Sequence, residues 1–219
     1  MLWRDPDTAR EKLDPAQVTF VNRLLEELEG PGVTRGEAIS RDLDQALCPC
    51  RDTAAMDRIE PPLTGGERDT LVGFLDYQRA TLAGKCAGLD EDQLRKQAAP
   101  PSELTLLGLV RHMADVERAW FRRCVGAEHD LPRVWGAHQH AFDVTGAVSA
   151  EAFSTWEAEV GRAREIERAV ESLDSAFSRP GWDDDFSLRF VLVHMIEEYA
   201  RHNGHADLLR EAIDGSTGE

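Results

Sequence analysis

Four stretches of this chain repeat apolar residues at spacings of three and four, and proline or glycine cuts each of them off. A 3.6-residue period is a helical signal, and four such stretches restrict the fold to helices packed on helices. The first, "GERDTLVGFLDYQRATLAGKCAGL", places Leu71, Phe74, Leu75, Gln78, Leu82, Cys86 and Leu89 on one face. It is closed by "AAPPSELT", because two prolines cannot continue a helix. The second, "LLGLVRHMADVERAWFRRCVG", takes Thr105 as its N-cap and carries a stripe from Leu106 through Leu109, Val110, Met113 and Val116 to Trp120 and Phe121. After the loop "WGAHQHAFDVTGAVS", a charged third helix runs from Ala150 to Leu173 with the narrow stripe Phe153, Trp156 and Val160. "SRPGWDDDFS" breaks it, and the fourth spans Leu188 to Ile213, with Gly215 as its stop. No alternation of period two is long enough for a strand, and there is neither a glycine-rich phosphate loop nor an internal repeat. The expectation is an all-α four-helix bundle over residues 62–215.

Residues 1–60 read differently. "DPAQVTFVNRLLEELEG" starts at Asp14 as N-cap with Pro15 behind it and ends at Gly30-Pro31-Gly32, and Thr34 with Glu37 makes a capping-box pattern. Pro61-Pro62 and Gly65-Gly66 then mark a boundary. A short helical N-terminal appendage is expected, serving as a lid, a dimer contact or a linker.

Hydrophobic content of 42% supports a packed core, and no apolar run reaches the length of a membrane span. "MLWRDPDTAREKLD" lacks the cationic start and apolar core of a secretory signal, so a cytoplasmic location is expected. A net charge of −16 argues against nucleic acid and anionic membranes as partners. Lys12, Lys85 and Lys96 are the only lysines, an arginine bias that suggests a GC-rich, actinobacterial coding genome. Cys48-Pro49-Cys50 is too tightly spaced for a zinc knuckle, and free thiols are expected there, with Cys86 and Cys124 as small core residues.

The residues that could carry chemistry lie in "HMIEEYARHNGHADLLRE". Positions four apart on a helix sit one above the other, so His194, Glu198, His202 and, slightly rotated, His205 share a stripe. Two of them could ligate one ion, with a third ligand from another helix and a fourth position left open. His112 is the only other histidine well inside a predicted core element. Spacing alone leaves open whether His194 pairs with Glu198 or Glu198 with His202. It also leaves open a purely solvated stripe.

"PPSELTLLGLVRHMADVERAWFRR" and "SLRFVLVHMIEEYARHNGHADLLREAIDG" resemble the DinB-like superfamily of four-helix bundles, specifically its DUF664 branch, over residues 62–219. The resemblance implies a divalent metal held by a histidine of the second helix and an i, i+4 pair on the fourth. The family's ligand-x-Gly pattern falls on His202-Asn203-Gly204, which implies His112, Glu198 and His202 as the ligands. Many relatives carry histidine in place of Glu198. A His, Glu, His set is instead similar to the mycothiol-dependent maleylpyruvate isomerases. Zinc is the expected ion, with nickel or iron as alternatives. His194 is a candidate hydrogen-bond partner of the ligands, His205 an alternative ligand, and Glu197 a surface charge. Arg201, Asp207 and Arg210 belong to the same signature, with Asp207 and Arg210 spaced as an ion pair. His138 and His140 could cover the site.

The resemblance further implies thiol S-transferases and thiol-dependent isomerases. The lead expectation is therefore a metal-dependent enzyme that activates a mycothiol-like thiol for attack on a small electrophile. The alternatives are a metal-dependent hydrolase and a non-catalytic bundle that binds metal or a protein partner. Exposed bundle faces also admit a homodimer.

Overall fold

The computed structural model describes residues 58–137 and 140–218; the expected appendage, with Cys48 and Cys50, and His138 lie outside them. The described chain is predominantly helical, with loops between the helices and one minimal ribbon. Its elements are α1 (Glu67–Cys86), α2 (Glu91–Leu94), α3 (Leu106–Glu117), a π-helical segment (Arg118–Val125), α4 (Ser149–Ala169), β1 (Ala176–Phe177), β2 (Phe186–Ser187) and α5 (Leu188–Asp214). Helix α1 packs chiefly along α5, and α3 along α4. The expected all-α bundle is what forms, and no described helix is long and apolar enough to cross a membrane.

The helix ends follow local chemistry. Thr105 accepts from the backbone N–H of Gly108 at 3.0 Å, so it caps α3 as its sequence position predicts. Gly215 ends α5 at φ 78°, a left-handed turn that glycine adopts without a Cβ clash. Helix α4 stops four residues before the expected Leu173. The Arg68 guanidinium donates to the carbonyls of Glu167, Val170 and Glu171, satisfying acceptors that another turn would have used. Helix α2 was not expected. Its signal is nevertheless in the sequence: Asp90 accepts from the Gln93 N–H, and the Gln93 side chain accepts from the Asp90 N–H.

Three further departures concern helix width, a short ribbon and exposure. The second stretch is not one α-helix, because beyond Glu117 its bonds lengthen to i→i+5, as in Gly126 N–H to the Phe121 carbonyl at 2.7 Å. The strands pair Ala176 with Ser187 and Phe177 with Phe186, a ladder too short to show alternation. Phe74, placed on the core stripe by spacing, is exposed, while Leu75, Leu82 and Cys86 are buried.

A buried polar chain ties the four long helices together. Arg79 of α1 donates from Nε and Nη2 to both oxygens of Glu117 on α3, each at 2.8 Å. Tyr199 of α5 donates to Glu117 Oε1 at 2.7 Å, and Trp156 Nε1 of α4 donates to the Tyr199 hydroxyl at 2.8 Å. Burial opposes the Arg79 charge, yet the Glu117 carboxylate keeps that guanidinium above its ordinary pKa. Burial, reinforced by Glu117, likewise holds the Tyr199 phenol protonated. Asp76 completes the charge balance by accepting from Arg79 and Arg164.

Candidate metal centre

The packing of α3 beside α5 brings His112 to the pair on α5. One potential ligand atom from each of His112, Glu198 and His202 lies within 4.8 Å of the others. His202 Nε2 is 3.5 Å from Glu198 Oε2, and the His112 and His202 rings meet edge to face at 4.7 Å. Two ligands of a tetrahedral zinc ion at about 2.1 Å from the metal sit about 3.4 Å apart, so the Glu198–His202 spacing fits with little movement. Two imidazoles and one carboxylate are also a donor set that zinc accepts, with room for a fourth ligand.

The surroundings orient these atoms. Glu198 Oε1, the oxygen turned away from His202, is 3.5 Å from His194 Nε2. His202 Nδ1 lies 3.4 Å from His205 Nδ1, leaving Nε2 toward the centre. Burial lowers the pKa of His202 below the ordinary histidine value, which favours the neutral form that ligates metals. Asn203 donates to both the Gln78 carbonyl and the Gln78 side chain, at 3.0 and 2.7 Å, and so pins this turn of α5 to α1. Phe142, from the loop before α4, stacks on His112 at 4.9 Å. It crosses α3 at Gly108, one turn before His112, where an added Cβ would come within 3.4 Å of the Phe142 ring.

That loop is held by side chains adjacent to the candidate ligand. Arg111 lies over the Trp135 ring at 4.5 Å and donates to the His140 and Asp143 carbonyls, while Trp135 Nε1 donates to the Arg111 carbonyl at 2.8 Å. Asp115 accepts from the Val134 N–H at 2.7 Å. Phe142, Arg111, Trp135 and Asp115 were not anticipated, because their relation to the centre exists only once the loop folds back.

Other expected neighbours fall as follows. Glu197 is exposed and pairs with Arg201 at 2.5 Å. The spacing of Asp207 and Arg210 does not make them partners. Asp207 pairs with Lys85 at 2.5 Å, and Arg210 pairs with Asp214 while donating to the Lys85 and Ala87 carbonyls at the end of α1. The His140 side chain is exposed and borders the cavity that Phe142 also lines, of about 800 Å³. Gly204 has no neighbour that a Cβ would meet, so packing does not account for it. Cys86 and Cys124 are buried free thiols, as expected of small core residues, and burial pushes the Cys86 thiol up to about 12.

A family model described as mycothiol-S-transferase matches residues 70–215, a stretch that holds all three candidate ligands and every long helix but for the first three residues of α1. The chain belongs to this family. Membership agrees with the DinB-like resemblance of the two helical segments. No individual curated protein matches the chain significantly.

Proposed function

We propose that the protein is a divalent-metal-dependent S-transferase that joins a mycothiol-like thiol to a small electrophile. The observation that carries this reading is the convergence of His112, Glu198 and His202 within 4.8 Å in a member of the mycothiol-S-transferase family. Zinc is the ion assigned here, since two imidazoles and one carboxylate with an open position form a catalytic zinc set, and iron or nickel would suit the same donors. Bound there, it would supply the Lewis acidity that lowers the pKa of a thiol at its open position toward neutrality. His112, Glu198 and His202 hold the site, His194 and His205 orient two of them, and Phe142 screens His112 from water. In the transfer, the cosubstrate sulfur forms a bond to the electrophilic carbon. The leaving group departs with its electron pair, and the proton of the thiol balances its charge. No cysteine of the described residues is needed, since Cys86 and Cys124 are buried and their thiols are held protonated by desolvation.

The test begins with elemental analysis of the purified protein beside His112→Ala and His202→Ala. Near-stoichiometric zinc, nickel or iron, lost in both variants, together with thiol-dependent consumption of an electrophile, is the expected result. A wild type that takes up no added ion sinks the proposal. Turnover that ignores added thiol would instead indicate a hydrolase.

A further inference from the structure

One end of the bundle carries more aromatic surface than its packing uses. Trp120 of the π-helical segment meets Trp182 at 5.9 Å, Phe186 at 5.7 Å and Phe190 at 6.0 Å, the first two edge to face. Trp120 and Phe186 are buried and form the floor. Above them Trp182 and Phe190 stay 47% and 44% exposed, an apolar shelf joined through Trp120 and Phe186 on a strongly acidic protein, and Val193, 51% exposed, follows Phe190 by one helical turn. The Arg179 guanidinium lies over the Trp182 and Trp120 rings, at 4.9 and 5.5 Å, and so covers one face of the Trp182 indole.

The shelf runs into the candidate centre. Phe190, His194 and Glu198 lie four residues apart on α5 and therefore form one stripe, each step rising about 6 Å. The His194 ring is parallel to Phe190 within 9° at 5.9 Å and 4.5 Å from Trp120, and its Nε2 is 3.5 Å from Glu198 Oε1. A planar molecule lying on Trp182 and Phe190 would thus extend along His194 toward the ligand carboxylate. The π-helical turn that places Trp120 here is a distortion that recurs at functional sites.

We propose that this shelf is the subsite for the electrophilic cosubstrate and that it selects planar, electron-poor aromatic electrophiles. The assignment rests on the reading of the centre as thiol-activating. Its chemistry is complementary: electron-rich indole and phenyl faces stack best on rings depleted by the groups that make them electrophilic. With 1-chloro-2,4-dinitrobenzene, a sulfur–aryl carbon bond forms and the carbon–chlorine bond breaks. Chloride leaves with the bonding pair, and the thiol proton is released.

The test uses the full-length protein loaded with zinc and 1,3-dinitrobenzene, which is unreactive, as a quencher of tryptophan fluorescence. Saturable quenching is expected, with affinity about fivefold weaker in Phe190→Ala, a variant that keeps every tryptophan. The same binding in His202→Ala separates this subsite from the metal reading. In turnover with thiol, Trp182→Ala and Phe190→Ala should lower the kcat/KM ratio of 1-chloro-2,4-dinitrobenzene over iodoacetamide by a similar factor. Absent quenching, or equal affinity in Phe190→Ala, overturns the subsite even if thiol transfer is found. Self-association abolished by Phe190→Ala would overturn it in favour of a contact between copies. Saturable binding without any thiol turnover overturns the cosubstrate role and the functional reading together.

Discussion

His202 illustrates how much of a candidate ligand lies outside its own side chain. Burial lowers its pKa and so favours the neutral imidazole, Glu198 faces its Nε2, and His205 faces its Nδ1. Substituting an orienting partner of a ligand typically costs about 10–100-fold in metal affinity. His205→Ala is therefore expected to weaken zinc binding by about tenfold, measured by competition with a chromogenic chelator, whereas His202→Ala abolishes it. An unchanged affinity in His205→Ala would mean that the 3.4 Å contact orients nothing. The cysteines make the opposite point, since their environment removes reactivity. With the Cys86 thiol pushed up to about 12 and that of Cys124 raised by burial, neither is a thiolate at neutral pH. In a Cys48→Ser/Cys50→Ser variant, Ellman's reagent should find no fast-reacting thiol until denaturant is added.

At the scale of elements, α1, α3, α4 and α5 are joined at one level by Arg79, Glu117, Trp156 and Tyr199. Every polar atom in that chain of bonds depends on the next. Removing the carboxylate leaves a buried guanidinium with its main counter-charge gone, and Glu117→Ala should cost about 3–5 kcal/mol. Tyr199→Phe deletes a single hydroxyl and strands the Trp156 N–H, for about 1–3 kcal/mol. Urea unfolding of the two variants measures both, and equal costs would contradict the network as drawn. Tyr199 follows Glu198 directly, so the same turn of α5 that presents the candidate ligand is also clamped through a neighbouring, buried face about 100° away. The loop before α4 adds a second clamp through Arg111 and Asp115, and it is this that brings Phe142 onto His112.

For the whole molecule, a metal held by α3 and α5 binds only the folded chain. An ion present at about a hundred times its dissociation constant then adds about 2.7 kcal/mol of stability. In a chain of this size that corresponds to a Tm higher by about 5–10 °C, at about 2–4 °C per kcal/mol. Chelation should remove the increment and added zinc restore it, read by thermal melting. His112→Ala should melt at the same temperature with and without chelator. A chelator-sensitive melt in that variant would place the stabilising ion elsewhere.

The number of long helices, their caps at Thr105 and Gly215, and the stripe of His194, Glu198 and His202 were all legible in the order of residues. Periodicity, capping chemistry and the i, i+4 rule act within one helix and need no partner. Phe74 escaped that logic, because a stripe does not say how wide a face its neighbour covers. The end of α4 escaped it too, since it is set by Arg68, which arrives from α1. Lys85 takes Asp207 away from Arg210 for the same reason. The approach of His112 to Glu198 and His202, which the resemblance implied but spacing left open, and the ring of Phe142 over it depend on which residues distant in sequence become neighbours. Packing alone decides that, because a side chain's partners across the core are set by the docking of whole helices and not by its own helix.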